Sequence, residues 1–335
     1  MAKATNLRRS PKWLVTAAAL VAVASAACGA GPAQPSALPT PVATPTPTPA
    51  PPRVALISID GLRPDALTQD RTPNILALAE RGMYAIAAQT IVPSTTLPGH
   101  TSMLTGVEPS AHGITFDEYR ETFELKTPTV LALVHSAGKQ TVMVVGKNKL
   151  KQLALAGTLD SFVLTTRGDA DVVNEAITRI SAGFDLLVVH LPQTDQAGHA
   201  SGWMSAEYLA QLQQADAAVG RLFSVLPPET TVIVTADHGG QGRNHGTRDT
   251  VDMTIPWIIA GPSVAHRGPL SRPVRTVDTT PTILSLLGIP PPPGEREADR
   301  DHAGQVEAED DEVRRGHLRS VSTSFAGSIA TCFTR

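Results

Sequence analysis

Short apolar runs alternate with amphipathic segments along the chain from residue 53 to about residue 293. Residues 54–59 are apolar and β-branched and are followed by an Asp-Gly pair, which predicts a buried strand that ends in a turn. Segment 72–80 begins with threonine and proline, which are typical of a first helical turn. The same succession predicts strands at 141–145, 185–190, 231–235 and 254–260 and helices at 130–137, 170–181, 205–226 and 278–287. This alternation predicts an α/β fold with a largely parallel central sheet and helices on both faces.

The length of this segment limits the domain organisation. About 240 residues are enough for one well-filled α/β domain and few for two, so we predict a single domain over residues 53–293. Both cysteines, Cys28 and Cys332, lie outside that range. The predicted domain therefore contains no disulfide, and its stability must come from packing.

The N-terminal residues have the pattern of an export signal. Four lysines and arginines precede an apolar run at 13–27, which is shorter than the roughly 20 residues needed to cross a bilayer. We therefore predict a secretory signal peptide over residues 1–27. The small residues before Cys28 resemble the lipobox of bacterial lipoproteins, although Ser25 stands where leucine is usual. We expect an extracytoplasmic protein that is either secreted or anchored to the bacterial cell surface through a lipid on Cys28.

Two further segments have compositions that do not favour a packed core. Residues 28–52 are rich in proline, threonine and alanine, which predicts an extended linker. Residues 294–335 carry many charges and few apolar residues, which predicts a mostly disordered tail. The formal net charge is −3, and without a basic stripe we expect no nucleic-acid-binding surface. The sequence leaves the oligomeric state open.

Polar clusters occur at or near the ends of the predicted strands. They comprise Asp60, the run PSTTLPGH at 93–100, Asp195 with His199, Asp237 with His238, and His245. In an open parallel sheet, ligands bind beyond the carboxyl ends of the strands. We therefore expect the three aspartates to meet at one edge of the sheet.

Three aspartates at one edge would repel one another unless cations lay between them. Counting ligands gives enough side chains for two divalent metal ions: Asp195, His199 and His245 for one, and Asp60, Thr96, Asp237 and His238 for the other. Mixed imidazole and carboxylate ligands favour zinc, with manganese or iron as alternatives. Two such ions can bind one ester anion and activate a hydroxyl nucleophile, so the chain is predicted to be an enzyme.

These clusters carry a family resemblance. The runs ISIDGLRPD from residue 57, PSTTLPGH from 93, DQAGH from 195, ADHG from 236 and HG from 245 resemble the alkaline phosphatase superfamily, and within it the type I phosphodiesterase/nucleotide pyrophosphatase branch. The resemblance implies that Thr96 forms a phospho-enzyme. It places Asp60, Asp237 and His238 on the metal next to Thr96, and Asp195, His199 and His245 on the other.

Two features bear on the substrate. Gly99 stands where phosphodiesterase members carry an asparagine, so a side-chain donor to the phosphate is expected to be missing. Lys147 and Lys149 resemble the lysine pair of phosphonoacetate hydrolases, which implies a role in substrate binding. The alternative is that both are solvated loop lysines, because charged side chains are exposed by default.

Other polar residues have more ordinary interpretations. Ser94 and Thr95 are hydroxyls beside Thr96, and only the family register selects Thr96. We expect His100 and His190 to be structural or to contact the metal-ligating residues, and not to bind metal themselves. We expect Asp216 to be a hydrogen-bonded carboxylate at a helix contact. Arg63 could bind substrate or pair with Asp65.

Three functions follow from these observations. The first is a metal-dependent hydrolase that cleaves small phosphodiesters or nucleotide pyrophosphates through a threonine phospho-enzyme. The second is a phosphonate or phosphomonoester hydrolase, which Lys147, Lys149 and Gly99 favour. The third is an inactive surface module that keeps the fold and binds a phosphorylated ligand.

Overall fold

The computed structural model describes residues 50–264 and 267–292, which form an α/β unit around one mixed sheet. The predicted signal peptide at 1–27, the predicted linker up to residue 49 and the predicted tail at 294–335 lie outside the described residues. Within these residues the strands are β1 (Arg53–Ile59), β2 (Met83–Gln89), β3 (Thr141–Val145), β4 (Ser161–Leu164), β5 (Leu186–Leu191), β6 (Thr230–Thr235), β7 (Thr254–Ala260) and β8 (Gly268–Pro269).

The helices connect these strands in chain order. They are α1 (Pro73–Arg81), α2 (Thr96–Thr105), α3 (Pro109–His112), α4 (Val130–Ser136), α5 (Asp169–Ala182), α6 (Gln193–Ser201), α7 (Ala206–Phe223), α8 (Thr250–Met253) and α9 (Thr279–Leu286). Short 3₁₀ turns occur at Pro64–Ala66, Asn148–Leu153 and Thr276–Asp278. In the described part of the chain, no helix is long and apolar enough to cross a membrane.

The strand order of the sheet is β4-β3-β5-β1-β6-β7-β2-β8. β1 pairs in parallel with β5 and β6, and β3 pairs in parallel with β4 and β5. β7 is antiparallel to both β6 and β2. The predicted largely parallel sheet is therefore confirmed, and the carboxyl ends of β3, β5, β1 and β6 lie side by side along one edge.

Two groups of helices cover the sheet. One group consists of α1, α5 and α7, which pack on one another and on strands that include β3, β5 and β7. The other consists of α2, α4 and α9, which pack on one another and on strands that include β1 and β3. Every residue of β3, β5 and β6 is buried, as expected for parallel strands covered on both faces.

The predicted strands and helices agree with the structure to within a few residues, but the strands β2, β4 and β8 and the helices α2, α3, α6 and α8 were not predicted. β2 has the sequence MYAIAAQ, which is rich in alanine and poor in β-branched residues. It forms a strand through its pairing with β7, interrupted by a bulge between Ala85 and Ala88. This is a case in which tertiary pairing overrides weak strand propensity.

Asp216 on α7 caps the first turn of α1. Its Oδ1 accepts from the backbone N–H of Ile75 at 2.9 Å, and its Oδ2 accepts from the backbone N–H and the side-chain amide of Asn74 at 3.2 and 2.8 Å. A carboxylate from another helix thus satisfies N–H groups that lack partners within α1. The prediction of a hydrogen-bonded carboxylate at a helix contact is confirmed.

Candidate active site

The polar clusters predicted at strand ends come together at the carboxyl edge of the sheet. Asp60 follows β1, the pair Asp237 and His238 follows β6, and α6 after β5 carries Asp195 and His199. Because β1 lies between β5 and β6, the chain segments that leave these three strands are neighbours. The topology of the sheet is therefore what gathers the carboxylates.

Asp60, Asp237 and His238 form a first ligand group. All three side chains are fully buried, and His238 Nε2 lies 3.4 Å from both Asp60 Oδ1 and Asp237 Oδ2. None of these three atoms has a hydrogen-bond partner. Buried polar atoms are almost always paired, so this trio has the donor set and spacing of a cation site.

Asp195, His199 and His245 form a second ligand group. His199 Nε2 lies 3.4 Å from Asp195 Oδ1, His245 Nε2 lies 3.5 Å from the same oxygen, and the two imidazole nitrogens are 3.1 Å apart. Asp195 Oδ1 has no hydrogen-bond partner. The groups are adjacent, because His238 Nε2 is 3.9 Å from Asp195 Oδ1 and the rings of His238 and His245 stack at 3.7 Å.

The tautomers of the three histidines follow from their backbone contacts. Each places Nδ1 against a carbonyl oxygen: His238 on Gly239 at 2.7 Å, His199 on Arg243 at 2.9 Å and His245 on Ser94 at 2.9 Å. A carbonyl can only accept, so Nδ1 must carry the proton and donate it. In the neutral rings Nε2 therefore presents a lone pair to the aspartate oxygens, which is the arrangement that metal-binding histidines adopt.

Burial and neighbouring charges shift the pKa values in the site. Burial, and then the charge of Asp60, raises the pKa of Asp237 to about 8. Burial acts to raise the pKa of Asp60 as well, but Lys147 and His190 hold it well below its ordinary value. Burial lowers the pKa of His245 to about 4, which favours its neutral form.

Lys147 follows β3 and reaches into the middle of the site. Its Nζ lies 2.7 Å from Asp60 Oδ2 and 2.6 Å from Asp195 Oδ2, and it donates to Thr96 Oγ1 at 3.1 Å. The Lys147 side chain is only 14% exposed. Burial acts to lower its pKa, but the carboxylates raise that pKa above its ordinary value. Lys147 is therefore not a solvated loop lysine.

Thr96 is the first residue of α2, and its hydroxyl accepts from Lys147 Nζ at 3.1 Å. Lys147 connects its Oγ1 to Asp60 and Asp195. The hydroxyl of Ser94 donates instead to the carbonyl of Thr247 at 2.7 Å, and Thr95 Oγ1 is buried without a partner. The hydrogen-bond partners therefore distinguish the three neighbouring hydroxyls. From the sequence alone, only the position of Thr96 in the family motif selected it.

Lys149 lies near the start of α2, the helix that begins with Thr96. Its Nζ pairs with Asp117 Oδ2 at 2.6 Å, and Asp117 Oδ1 accepts from the backbone N–H of Leu97 at 2.8 Å. Lys149 is thus connected through Asp117 to Leu97, the residue next to Thr96. Asp117 was not among the predicted site residues, because it comes from a loop with no recognisable motif.

His190 and His100, which were not predicted to be metal ligands, contact Asp60 and Thr96 respectively. His190 Nδ1 accepts from the backbone N–H of Gly146 at 3.2 Å, so its Nε2 carries the proton and donates to Asp60 Oδ2 at 2.8 Å. His100 Nδ1 donates to the carbonyl of Thr96 at 2.8 Å. Both rings are buried, and they hold Asp60 and the start of α2 in place.

The structure also shows the contacts of Arg63 and Gly99, the two other positions considered in the sequence. Arg63 pairs with Asp65 at 2.5 Å and donates to the carbonyl of Gly240 at 3.1 Å, which fits the ion-pair alternative. A side chain at Gly99 would begin 2.9 Å from the carbonyl oxygen of Asp237. Position 99 therefore packs against the backbone that presents Asp237, and glycine allows this close approach.

Solved structures share this fold. An inactive threonine-to-alanine variant of mouse ectonucleotide pyrophosphatase/phosphodiesterase 5, in complex with AMP, aligns with a TM-score of 0.63 at 14% identity and covers 72% of this chain and 96% of that one. A 2-O GAG sulfatase aligns with a TM-score of 0.59 at 16% identity, covering 73% and 72%. The protein therefore has the alkaline phosphatase-like fold.

The sequence comparisons identify the branch. The family described as type I phosphodiesterase / nucleotide pyrophosphatase matches residues 54–130 and 139–254, and the chain belongs to this family. Among curated relatives, a pyrophosphatase/phosphodiesterase of Schizosaccharomyces pombe is 26% identical over 64% of this chain, and mouse ectonucleotide pyrophosphatase/phosphodiesterase family member 3 is 26% identical over 67%. The chain spans 49% and 28% of the length of these two relatives.

A more distant similarity covers less of the chain. The 2,3-bisphosphoglycerate-independent phosphoglycerate mutase of Cereibacter sphaeroides is 31% identical over 131 residues, which make up 36% of this chain and 24% of the mutase. The curated relatives thus include proteins named as phosphodiesterases and a protein named as a phosphoglycerate mutase.

Proposed function

We propose that this chain hydrolyses phosphate esters, with phosphodiesters or nucleotide pyrophosphates as substrates, in a site that holds two divalent metal ions. The observation that carries the proposal is a set of buried ligand atoms without hydrogen-bond partners: Asp60 Oδ1, Asp195 Oδ1, Asp237 Oδ2 and His238 Nε2. Leaving such atoms unpaired costs folding free energy. Cations between them would remove that cost.

The donor set fits two ions. Asp60, Thr96, Asp237 and His238 would hold one, and Asp195, His199 and His245 the other. Imidazole and carboxylate donors together favour zinc, with manganese or iron as alternatives. When bound, two divalent ions polarise the phosphoryl group and stabilise the charge that develops on its oxygens and on the leaving group.

In the proposed reaction Thr96 is the nucleophile. Its Oγ bonds to phosphorus and releases its proton to solvent, while the bond from phosphorus to the leaving oxygen breaks and that oxygen takes up a proton from solvent. Water then attacks the phosphothreonine, releases phosphate or a monoester, and restores the hydroxyl. The contact of Lys147 with Thr96 Oγ1 at 3.1 Å supports this role, because an ammonium stabilises negative charge on the attacking oxygen.

A second candidate function has its own observation. Lys147 contacts Thr96, and Lys149 reaches the same helix start through Asp117. Two cationic side chains near the nucleophile would suit a substrate with an additional anionic group, such as a phosphomonoester or phosphonoacetate. Steady-state rates on a diester, a monoester and phosphonoacetate separate these possibilities, and the highest kcat/KM names the substrate class.

The role of Thr96 is tested with matched variants of neighbouring threonines. Thr96→Val should lower kcat on the preferred ester by about 10³ or more, with metal content unchanged because Asp60, Asp237 and His238 remain to hold the ion. Thr96→Ser should keep measurable activity, and Thr95→Val should be close to wild type because Thr95 Oγ1 has no partner. Equal rates for Thr96→Val and wild type would contradict the assignment. Binding of these esters without turnover by metal-loaded protein would favour a binding module instead.

We also propose that the protein is exported through its first 27 residues and acts outside the cytoplasm, secreted or attached through a lipid on Cys28. The supporting observation is the charged start, the apolar run and the small residues before the cysteine. Labelling with a radioactive fatty acid in a bacterial host should mark the wild type and leave Cys28→Ala unmarked. An unlabelled wild-type protein in the medium would favour release.

A further inference from the structure

The ammonium of Lys147 joins the two ligand groups. It contacts Asp60 from the first group and Asp195 from the second, at 2.7 and 2.6 Å. Its third contact is Thr96 Oγ1 at 3.1 Å. An ammonium has three N–H donors, so the site supplies a partner for each of them. The side chain is 14% exposed and is committed to the site interior.

The carboxylate oxygens divide their contacts in the same way on both aspartates. Asp60 and Asp195 each use Oδ2 for Lys147. Each keeps Oδ1 for its ligand group, where that atom has no hydrogen-bond partner. The geometry therefore leaves a ligand atom for a metal ion on both aspartates while Lys147 stays in place. The ammonium therefore shares a carboxylate with each proposed metal site: Asp60 with one and Asp195 with the other.

We propose that Lys147 is a built-in counter-ion of the site, which stabilises the metal-free fold and weakens metal binding. The proposal rests on the metal sites of the proposed function. Without metal ions, Lys147 offsets part of the negative charge of two buried carboxylates that would otherwise repel each other. With metal ions bound, the same ammonium would repel both of them in a buried environment, where charges are poorly screened.

The consequence is a fold that does not depend on metal for its formation. A chain whose carboxylates were balanced by metal alone would lose most of its stability in a chelator. Here Lys147 balances part of the negative charge from within the chain. The protein can therefore fold first and acquire its ions afterwards, with a lower affinity than the ligand set alone would give.

The test compares Lys147→Met with wild type in two measurements that do not use activity. Chelator-treated Lys147→Met should melt about 5 °C or more below chelator-treated wild type. Its dissociation constant for zinc, from calorimetry with a competing chelator, should be about tenfold or more lower than that of wild type. The matched control is Lys149→Met, because Lys149 pairs with Asp117 at 2.6 Å; it should leave zinc affinity unchanged.

Two further variants separate charge from packing. Lys147→Arg should keep the metal-free melting temperature and the zinc affinity near wild type. Adding Asp195→Asn to Lys147→Met should restore much of the lost metal-free stability, because it removes one of the carboxylates left without a counter-ion. If Lys147→Met does not fold without metal, zinc should fold it, whereas Lys147→Arg should fold in chelator.

The outcomes distinguish this proposal from the one it rests on. Wild type that binds no zinc would overturn both. Wild type that binds zinc, with Lys147→Met binding it equally or more weakly, would overturn only the counter-ion proposal. An unchanged metal-free melting temperature in Lys147→Met, or failure of that variant to fold even with zinc, would also overturn it.

Discussion

At the scale of single residues, the site depends on which atom of each side chain is already occupied. In the three ligand histidines Nδ1 donates to a backbone carbonyl, and in Asp237 Oδ1 accepts from the backbone N–H of Gly61 at 3.2 Å. Each therefore has one atom fixed by the backbone and one atom directed at the site. Such backbone anchoring orients metal ligands and limits the entropy lost when an ion binds.

Asp237→Asn should lower metal content while Thr96→Val keeps it. Asparagine preserves the shape and the contact with Gly61, but it removes the negative charge from the buried oxygen that faces His238. We expect Asp237→Asn to lose one metal equivalent and turnover, and Thr96→Val to lose turnover alone. Elemental analysis of both purified variants decides the matter, and equal metal content would argue against the assignment of Asp237.

Asp169 predicts a pH dependence of stability outside the ligand groups. It accepts from the backbone N–H of Gln193 at 3.1 Å at the start of α6. Burial raises its pKa to about 6. The folded protein therefore keeps a proton that the unfolded chain releases near pH 4, so the contribution of Asp169 to stability is greatest below pH 4 and is lost as the pH rises through about 6.

Asp169→Asn should remove this dependence. In urea unfolding between pH 4 and pH 7.5, the variant should gain stability relative to wild type as the pH rises, by on the order of 2 kcal/mol at neutral pH. The difference between the two proteins isolates Asp169 from other titrating groups. A difference that is constant over this pH range would show that the carboxyl titrates normally.

At the scale of elements, contacts between distant elements stabilise helix starts and strands that the local sequence favours only weakly. α1 begins with Thr72 and Pro73, yet Thr72 makes no capping hydrogen bond. Asp216 supplies the cap from α7, which comes more than 140 residues later. β2 likewise depends on β7. The sequence predicts β1 from its apolar run and α7 from its helical periodicity, and it misses β2, whose stability comes from a distant partner.

Asp216→Ala should destabilise the fold by about 2–3 kcal/mol, because it leaves the backbone N–H groups of Asn74 and Ile75 without their acceptor. The matched control is Ser205→Ala, which removes a local cap from Tyr208 N–H at 3.2 Å and should cost about 1 kcal/mol. Chemical denaturation of both variants measures the difference. A loss for Asp216→Ala no larger than that for Ser205→Ala would contradict a special role for the cap between helices.

At the scale of the whole molecule, the sheet explains why the site could be predicted at all. Asp60, Asp195 and Asp237 follow strands whose carboxyl ends must meet once the sheet is parallel, so their convergence follows from the order of elements. His190 and Lys147 could not be placed in the same way. Their partners depend on how β3 and β5 align, as in the contact of Gly146 with His190, and no motif encodes that register.

The central claim is that two cations balance the buried carboxylates and imidazoles at this edge of the sheet. The most direct test is the metal content of the purified protein after equilibration with zinc and removal of unbound ions. We predict about two equivalents of metal per chain in wild type and about one in Asp237→Asn. A wild-type chain that is fully folded and retains no metal would contradict the account.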